Sequence, residues 1–270
     1  AYNIAIGHNA GQAITTGIKN TIIGGNAGDA LTTGNENVAI GYEALTAEDT
    51  GGKNVAVGKE ALRALNAGAD AYNVAVGFEA GHDLSTGINN VIVGGTAGDA
   101  LTTGSYNVLL GRSAGGALVE GGSNIAIGYE ALKTENAHGK NVAVGHNSLR
   151  DLDAGADAYN TAIGYEAGKV MTTGISNTLI GAFSGDALTT GDYNVAIGRS
   201  ALSLEDAYGY NVAIGAFALL NQNAADNAFN VAVGYNAGAA VTTGVNNTLV
   251  GGNAGDALTI GNHNVAIGFE

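Results

Sequence analysis

An asparagine followed four residues later by a glycine recurs sixteen times in 270 residues, most often as Asn-Val-Ala-Ile-Gly or a close variant. Successive asparagines are 17 residues apart, except for three steps of 19. They begin with Asn3, Asn20, Asn37, Asn54, Asn73 and Asn90, and their glycines with Gly7, Gly24, Gly41, Gly58, Gly77 and Gly94. So short and regular a period makes the chain one small unit stacked on itself. Seventeen residues are too few for a helix-turn-helix repeat, and glycine recurs too often for a helix. In the coil from Asn37 to Lys53, Val38, Ala39 and Ile40 form a β-prone segment that Gly41 ends. Ala44 and Leu45 supply a second apolar segment, followed by a polar, glycine-rich turn. This pattern predicts an all-β fold: a narrow parallel β-solenoid, or β-roll, with two short strands and two turns in each of about 16 coils. Each strand pairs with its copy one coil away, about 4.8 Å along the axis. A propeller blade needs about 40 residues, and a barrel has no need of equal steps.

The coils group into larger units. The segments beginning at Asn3, Asn73, Asn160 and Asn230 open alike, and each is followed by a coil containing Gly-Asp-Ala-Leu-Thr-Thr-Gly or a near copy. One solenoid domain, 1–270, is therefore divided into superunits 3–72, 73–159, 160–229 and a partial 230–270. The second carries one extra coil, around Asn107, as a stack of interchangeable units allows. Every complete superunit closes on a 19-residue coil. The two added residues are expected to bulge as a surface loop, making Asp70, Asp157 and Asp226 candidates for recognition by a partner. The chain begins and stops within the repeat and reads as a segment of something longer.

Side chains alternate along a strand, yet both sides of this one are apolar. Val38 and Ile40 oppose Ala39; Val74 and Val76 oppose Ala75; Val195 and Ile197 oppose Ala196. Elsewhere the middle position enlarges to Ile22, Ile92, Leu109, Leu179 and Leu249. One side packs inside the coil, and the other is expected to be covered by another chain or another part of the parent protein. Three rods about a common axis would close such a stripe. Within the coil, alanines seven after the asparagine (Ala27, Ala44, Ala61) and leucines eleven after it (Leu31, Leu65, Leu84) read as core. Glu48 and Glu135 replace that leucine in two coils, which must turn differently there.

Chemistry-bearing constellations are sparse. Formal charge is -14 with only ten Lys and Arg, which opposes a phosphate-binding surface and hence nucleic acid. Cysteine is absent, so neither a disulfide nor a thiolate metal site is possible. No apolar run is long enough to span a membrane. His8, His82, His138, His146 and His263 make no metal triad. The acidic columns repeat from coil to coil, whereas catalysis requires one distinguished site, so the chain reads as no enzyme and needs no cofactor. Adventitious Ca²⁺ at the column of Asp29, Asp99, Asp186 and Asp256 is the one metal reading the pattern offers. Thr-Thr-Gly turns, such as Thr32-Thr33 and Thr102-Thr103, raise ice binding as an alternative, against which adjacent threonines on a strand would face opposite ways. Tyrosine and phenylalanine recur just before the asparagine (Tyr72, Tyr106, Tyr159) and five after it (Tyr42, Phe78), where they read as turn-edge packing or as an aromatic stripe for glycans or a host surface.

At Asn37-Val38-Ala39-Ile40-Gly41 with Ala44 the repeat resembles the head repeats of trimeric autotransporter adhesins, also seen in phage and prophage tail-fibre proteins. A version occurs in all sixteen units. The resemblance implies a left-handed parallel β-roll and a homotrimer joined along apolar strand faces. It also implies an extracellular or cell-surface fibre that contacts host surfaces, matrix or glycans, with a virion fibre as the alternative. The coils depart from that family in length, being 17 or 19 residues rather than about 14 to 15.

Overall fold

The computed structural model describes residues 2–269. The chain divides into two compact units, Ala1–Gly139 and Lys140–Glu270. Each is a parallel β-solenoid with one three-residue strand per coil, sixteen coils in all. The first unit carries β1 (Ile4–Ile6), β2 (Thr21–Ile23), β3 (Val38–Ile40), β4 (Val55–Val57), β5 (Val74–Val76), β6 (Val91–Val93), β7 (Val108–Leu110) and β8 (Ile125–Ile127). The second carries β9 (Val142–Val144), β10 (Thr161–Ile163), β11 (Thr178–Ile180), β12 (Val195–Ile197), β13 (Val212–Ile214), β14 (Val231–Val233), β15 (Thr248–Val250) and β16 (Val265–Ile267). Within each unit every strand pairs in parallel with the next, in the register of the sequence repeat: Val38 faces Val55, and Val195 faces Val212.

The second strand expected in each coil does not form. The Ala44-Leu45 segment is a succession of tight turns, with φ of 53° at Glu43 and 54° at Leu45. Left-handed residues six and eight places after the asparagine coil the backbone too tightly for a second sheet. A coil therefore has one sheet side, and turns close the rest.

The asparagine column holds those turns together. Asn20, Asn37, Asn54, Asn73 and Asn90 are buried, as are their counterparts Asn177 and Asn194 in the second unit. Within each unit the Oδ1 accepts the backbone N–H of the next asparagine, at 2.9 Å from Asn37 to Asn20 and 2.8 Å from Asn194 to Asn177. In most coils Nδ2 donates to the carbonyl of the glycine fourteen residues on, for example Asn73 to Gly87 at 2.8 Å and Asn177 to Gly191 at 2.8 Å. One amide thus fixes the axial step and ties the start of its coil to the end of it.

The glycine four places after each asparagine answers a steric limit. A Cβ on Gly77 would lie 2.4 Å from the Gly94 carbonyl oxygen, and φ there is +146°. The same approach recurs up the column, at 2.3 Å from Gly41 to Gly58 and 2.6 Å from Gly181 to Gly198.

Core volume is shared between two positions of the coil. Where the strand centre is alanine, position eight is often leucine: Ala39 with Leu45, Ala56 with Leu62, Ala196 with Leu202. Where the centre is large, position eight is glycine: Ile22 with Gly28, Leu109 with Gly115, Leu179 with Gly185. A Cβ at Gly115 would meet Leu109 Cδ2 at 2.9 Å, so the two cannot both be large. Coils with both small, such as Ala75 with Gly81, are filled axially: Ile92 Cδ1 and Leu62 Cδ2 come within 3.0 and 3.1 Å of where a Gly81 Cβ would sit.

Two expectations follow. Gly77→Ala is destabilised by more than about 3 kcal/mol or fails to fold, because backbone blocks the methyl and the dihedral is strained. Gly68→Ala, with nothing within 4 Å of its Cβ and φ of +68°, loses only about 1 kcal/mol. Equal losses in denaturant melts would contradict the steric reading. Leu109→Ala and Gly115→Leu should each cost about 2 kcal/mol or more, and the double variant should recover at least about 1 kcal/mol of their sum. An additive double-mutant cycle would refute the shared volume.

Candidate interaction surface

The strand settles which side faces in. Its middle residues, Ala39, Ala75, Ile92, Leu109, Leu179, Ala196 and Leu249, are wholly buried. Its outer residues are half-buried: Val38 and Ile40, Val74 and Val76, Val195 and Ile197. Each unit therefore carries two neighbouring columns of Val, Ile, Leu and Thr on the outer side of its sheet, without a charged residue in either.

Beside these columns the residues just before each asparagine form a third, held at positive φ and pointed into solvent. Tyr72, Tyr106, Tyr159, Tyr193, Tyr210 and Phe229 share φ between 50° and 64° and are 43–61 % exposed. They pack along the axis. Tyr193 and Tyr210 stack with centroids 5.2 Å apart and planes 21° from parallel; Tyr210 and Phe229 stack at 5.1 Å and 21°. A second aromatic column, five residues after the asparagine, contains Tyr165, which stacks on His146 at 5.2 Å and meets Phe183 edge-on. Phe78 receives the Lys59 ammonium at 5.2 Å from its centroid. These rings make contacts between coils, so several of them have one face already used.

The 19-residue coils bring charge to the aromatic column. Lys53 bonds Asp70 at 2.7 Å and the Tyr72 hydroxyl at 3.0 Å, with its ammonium 5.0 Å from that ring's centroid. Lys140 repeats the arrangement with Asp157 at 2.6 Å and Tyr159 at 3.0 Å. The hydrogen bonds to Asp70 and Asp157 hold both ammonium groups well above the usual lysine range. Two of the three loop aspartates are thus engaged within the chain. Asp226 is exposed and caps the Asn227 N–H at 2.7 Å.

Position eleven holds a feature only partly visible in sequence. Glu48, Glu135 and Glu205 are buried there, each in the coil that precedes a 19-residue coil. Glu48 accepts the Gly51 N–H at 2.7 Å and the Ala67 N–H of the long coil at 3.3 Å. Glu205 accepts Tyr208 N–H at 3.2 Å and Ala224 N–H of its long coil at 3.5 Å, and Glu135 accepts His138 N–H at 3.3 Å. At Glu48 and Glu205 the carboxylate serves backbone donors that the altered turn and the longer coil would otherwise bury unpaired. Desolvation raises the Glu48 carboxyl above its ordinary value and pushes Glu205 up to about 7, against the opposing pull of those hydrogen bonds. The sequence signal was available: a glutamate in the leucine column immediately before every long coil.

The first threonine of each Thr-Thr pair spends its hydroxyl on a carbonyl one coil away, as Thr32 does on Asp49 at 2.9 Å and Thr102 on Val119 at 3.0 Å. The second is exposed, but its column is broken by Ala67, Glu120 and Ala137 in the first unit. Among the described residues no group of three or more His, Cys, Asp or Glu could hold a metal ion. Comparison with protein-family models, curated proteins and solved structures finds no significant match. The class defined by the fold is, in each unit, a parallel β-solenoid of eight stacked coils, an architecture suited to a structural or fibrous role.

The Glu205 carboxyl predicts a pH dependence of definite sign. Its folded pKa, about 7, exceeds its ordinary value of 4.5. Between those values the folded chain holds a proton that the unfolded chain has lost, so stability falls as pH rises through the window. The melting temperature should be higher at pH 5 than at pH 8, and Glu205→Gln should shrink that difference. An unchanged difference in the variant would exclude Glu205 as its source.

Proposed function

We propose that this chain is a non-enzymatic segment of an extracellular fibre whose solenoids associate side by side, three to a rod, and display their remaining surface for attachment. The outer face of the sheet carries this reading. Two adjacent columns of uncharged, half-buried Val, Ile, Leu and Thr make an apolar strip along each unit. Apolar strips beyond a few hundred Å² mark interaction surfaces, and covering them stabilises by about 25 cal/mol per Å². Another copy of the chain has the same coil spacing and so matches the strip coil for coil, and rotational symmetry closes the set.

The Asn-Val-Ala-Ile-Gly repeat resembles trimeric adhesin heads, which supports three chains, left-handed winding and a cell-surface setting. The attachment target would be a host surface, matrix or glycan. A phage tail-fibre shaft would use the same assembly on a virion. Ice binding is less well supported, because the first threonine hydroxyls bond to carbonyls and the exposed threonines form short, broken runs.

Light scattering on the purified chain at micromolar concentration should give three times the chain mass of 26.6 kDa. The variant Val76→Glu with Val93→Glu, both on the outer face, should give the monomer mass with an unchanged circular dichroism spectrum. A wild-type mass of 26.6 kDa would overturn the assembly.

A further inference from the structure

We infer that the aromatic column preceding the asparagines contains binding slots for a single planar aromatic ring, one at Asn89 in the first unit and one at Ser176 in the second. In the first unit that column includes the run Tyr72, Asn89, Tyr106; in the second it includes the run Tyr159, Ser176, Tyr193, Tyr210, Phe229. These residues share one backbone conformation, with φ between 50° and 64°. At Asn89 and Ser176 a small side chain stands between two tyrosines two coils apart, about 9.6 Å at a strand spacing of ~4.8 Å.

The column itself demonstrates what fills such a gap. Tyr193 and Phe229 are also two coils apart, and the Tyr210 ring sits between them, 5.2 Å from one and 5.1 Å from the other. These separations lie within the range in which aromatic rings attract by offset stacking. A ring arriving from outside at Ser176 would occupy the place that Tyr210 occupies two coils further on.

Three of the four walls are already held. Lys53 lies against Tyr72 and Lys140 against Tyr159, each from the coil before, which leaves the opposite sides of those rings toward Asn89 and Ser176. Tyr210 backs Tyr193 in the same manner, on the side away from Ser176. Rings fixed on one side lose little freedom when a ligand stacks on the other, and preorganisation of that kind favours binding. The four tyrosine walls are 50–61 % exposed, so the slots are open notches that a ligand enters sideways. A weaker third notch, at Asn246, has Phe229 on one side and the His263 imidazole on the other.

The chain's charge of -14 selects neutral or cationic rings over anionic ones. The ring could belong to a small molecule or to an aromatic side chain of a polypeptide, and the same chemistry serves both. The inference does not rest on the side-by-side assembly proposed above, since it uses contacts within one chain.

The chain contains no tryptophan, so an indole probe can be excited selectively. Fluorescence anisotropy would be followed for N-acetyltryptophanamide and for a Gly-Ser peptide bearing one tryptophan, each titrated with the full chain. Saturable binding of either probe is expected. In N89Y/S176Y/N246Y, which fills the notches with a residue the column already tolerates, affinity should fall at least fivefold. Y159L/Y193L, which removes the walls at Ser176, should lower the binding capacity, and Y210S, which opens a new notch between Tyr193 and Phe229, should raise it. Binding of the peptide alone would assign the slots to polypeptide side chains; binding of both would include free aromatic molecules. Silence of both probes would overturn the inference, as would binding that N89Y/S176Y/N246Y leaves unchanged while circular dichroism shows the fold intact.

Discussion

The buried amide of the asparagine column is the interaction on which the solenoid depends. A coil of 17 residues with a three-residue strand has few sheet hydrogen bonds of its own, and its turns leave backbone groups facing inward. Within each unit an asparagine supplies an acceptor to the next coil and, in most coils, a donor to its own closing turn, as Asn90 does toward Asn107 and Gly104. A buried backbone group left unpaired costs about 1–3 kcal/mol, and within each unit the column prevents that cost from one asparagine N–H to the next. Neighbouring glycines let the coils come close enough for these bonds to form, since a Cβ at Gly41 or Gly77 would strike the carbonyl above it.

With the axial step fixed, the interior has a constant cross-section, and the side chains share it. Leu45 beside Ala39 and Gly115 beside Leu109 are two solutions to one volume. Where both positions are small, leucine and isoleucine from the coils on either side lean into the space. Packing in this fold is thus axial as well as within the coil. The buried glutamates belong to the same logic: Glu48 and Glu205 answer the backbone donors that appear where a 19-residue coil follows, at the cost of a desolvated carboxyl.

The exterior follows from the interior. Once the strand centre turns inward, the flanking Val and Ile must face out, and left-handed turns throw Tyr and Phe into exposed columns. Identical residues recur at the coil spacing, which is near the stacking distance of aromatic rings. Ring ladders such as Tyr193, Tyr210 and Phe229 therefore arise from the repeat without further design, and a small residue such as Ser176 interrupts them.

The sequence by itself determined the period, the parallel stacking, the register and the coils in which the count changes, because those are one-dimensional properties of a repeat. It also marked the asparagine and glycine columns and the apolar character of both sides of the strand. Only the tertiary structure decided that Ala39 faces in while Val38 and Ile40 face out, that Ala44 and Leu45 form no second strand, and that Lys53 and Lys140 engage Asp70 and Asp157. The physical reason lies in the turns. Ordinary residues such as Glu43, Leu45 and Tyr72 adopt left-handed dihedrals here, and nothing in their chemistry announces it. The direction of every side chain after such a turn, and hence which columns become surface, is set by the closure of the coil.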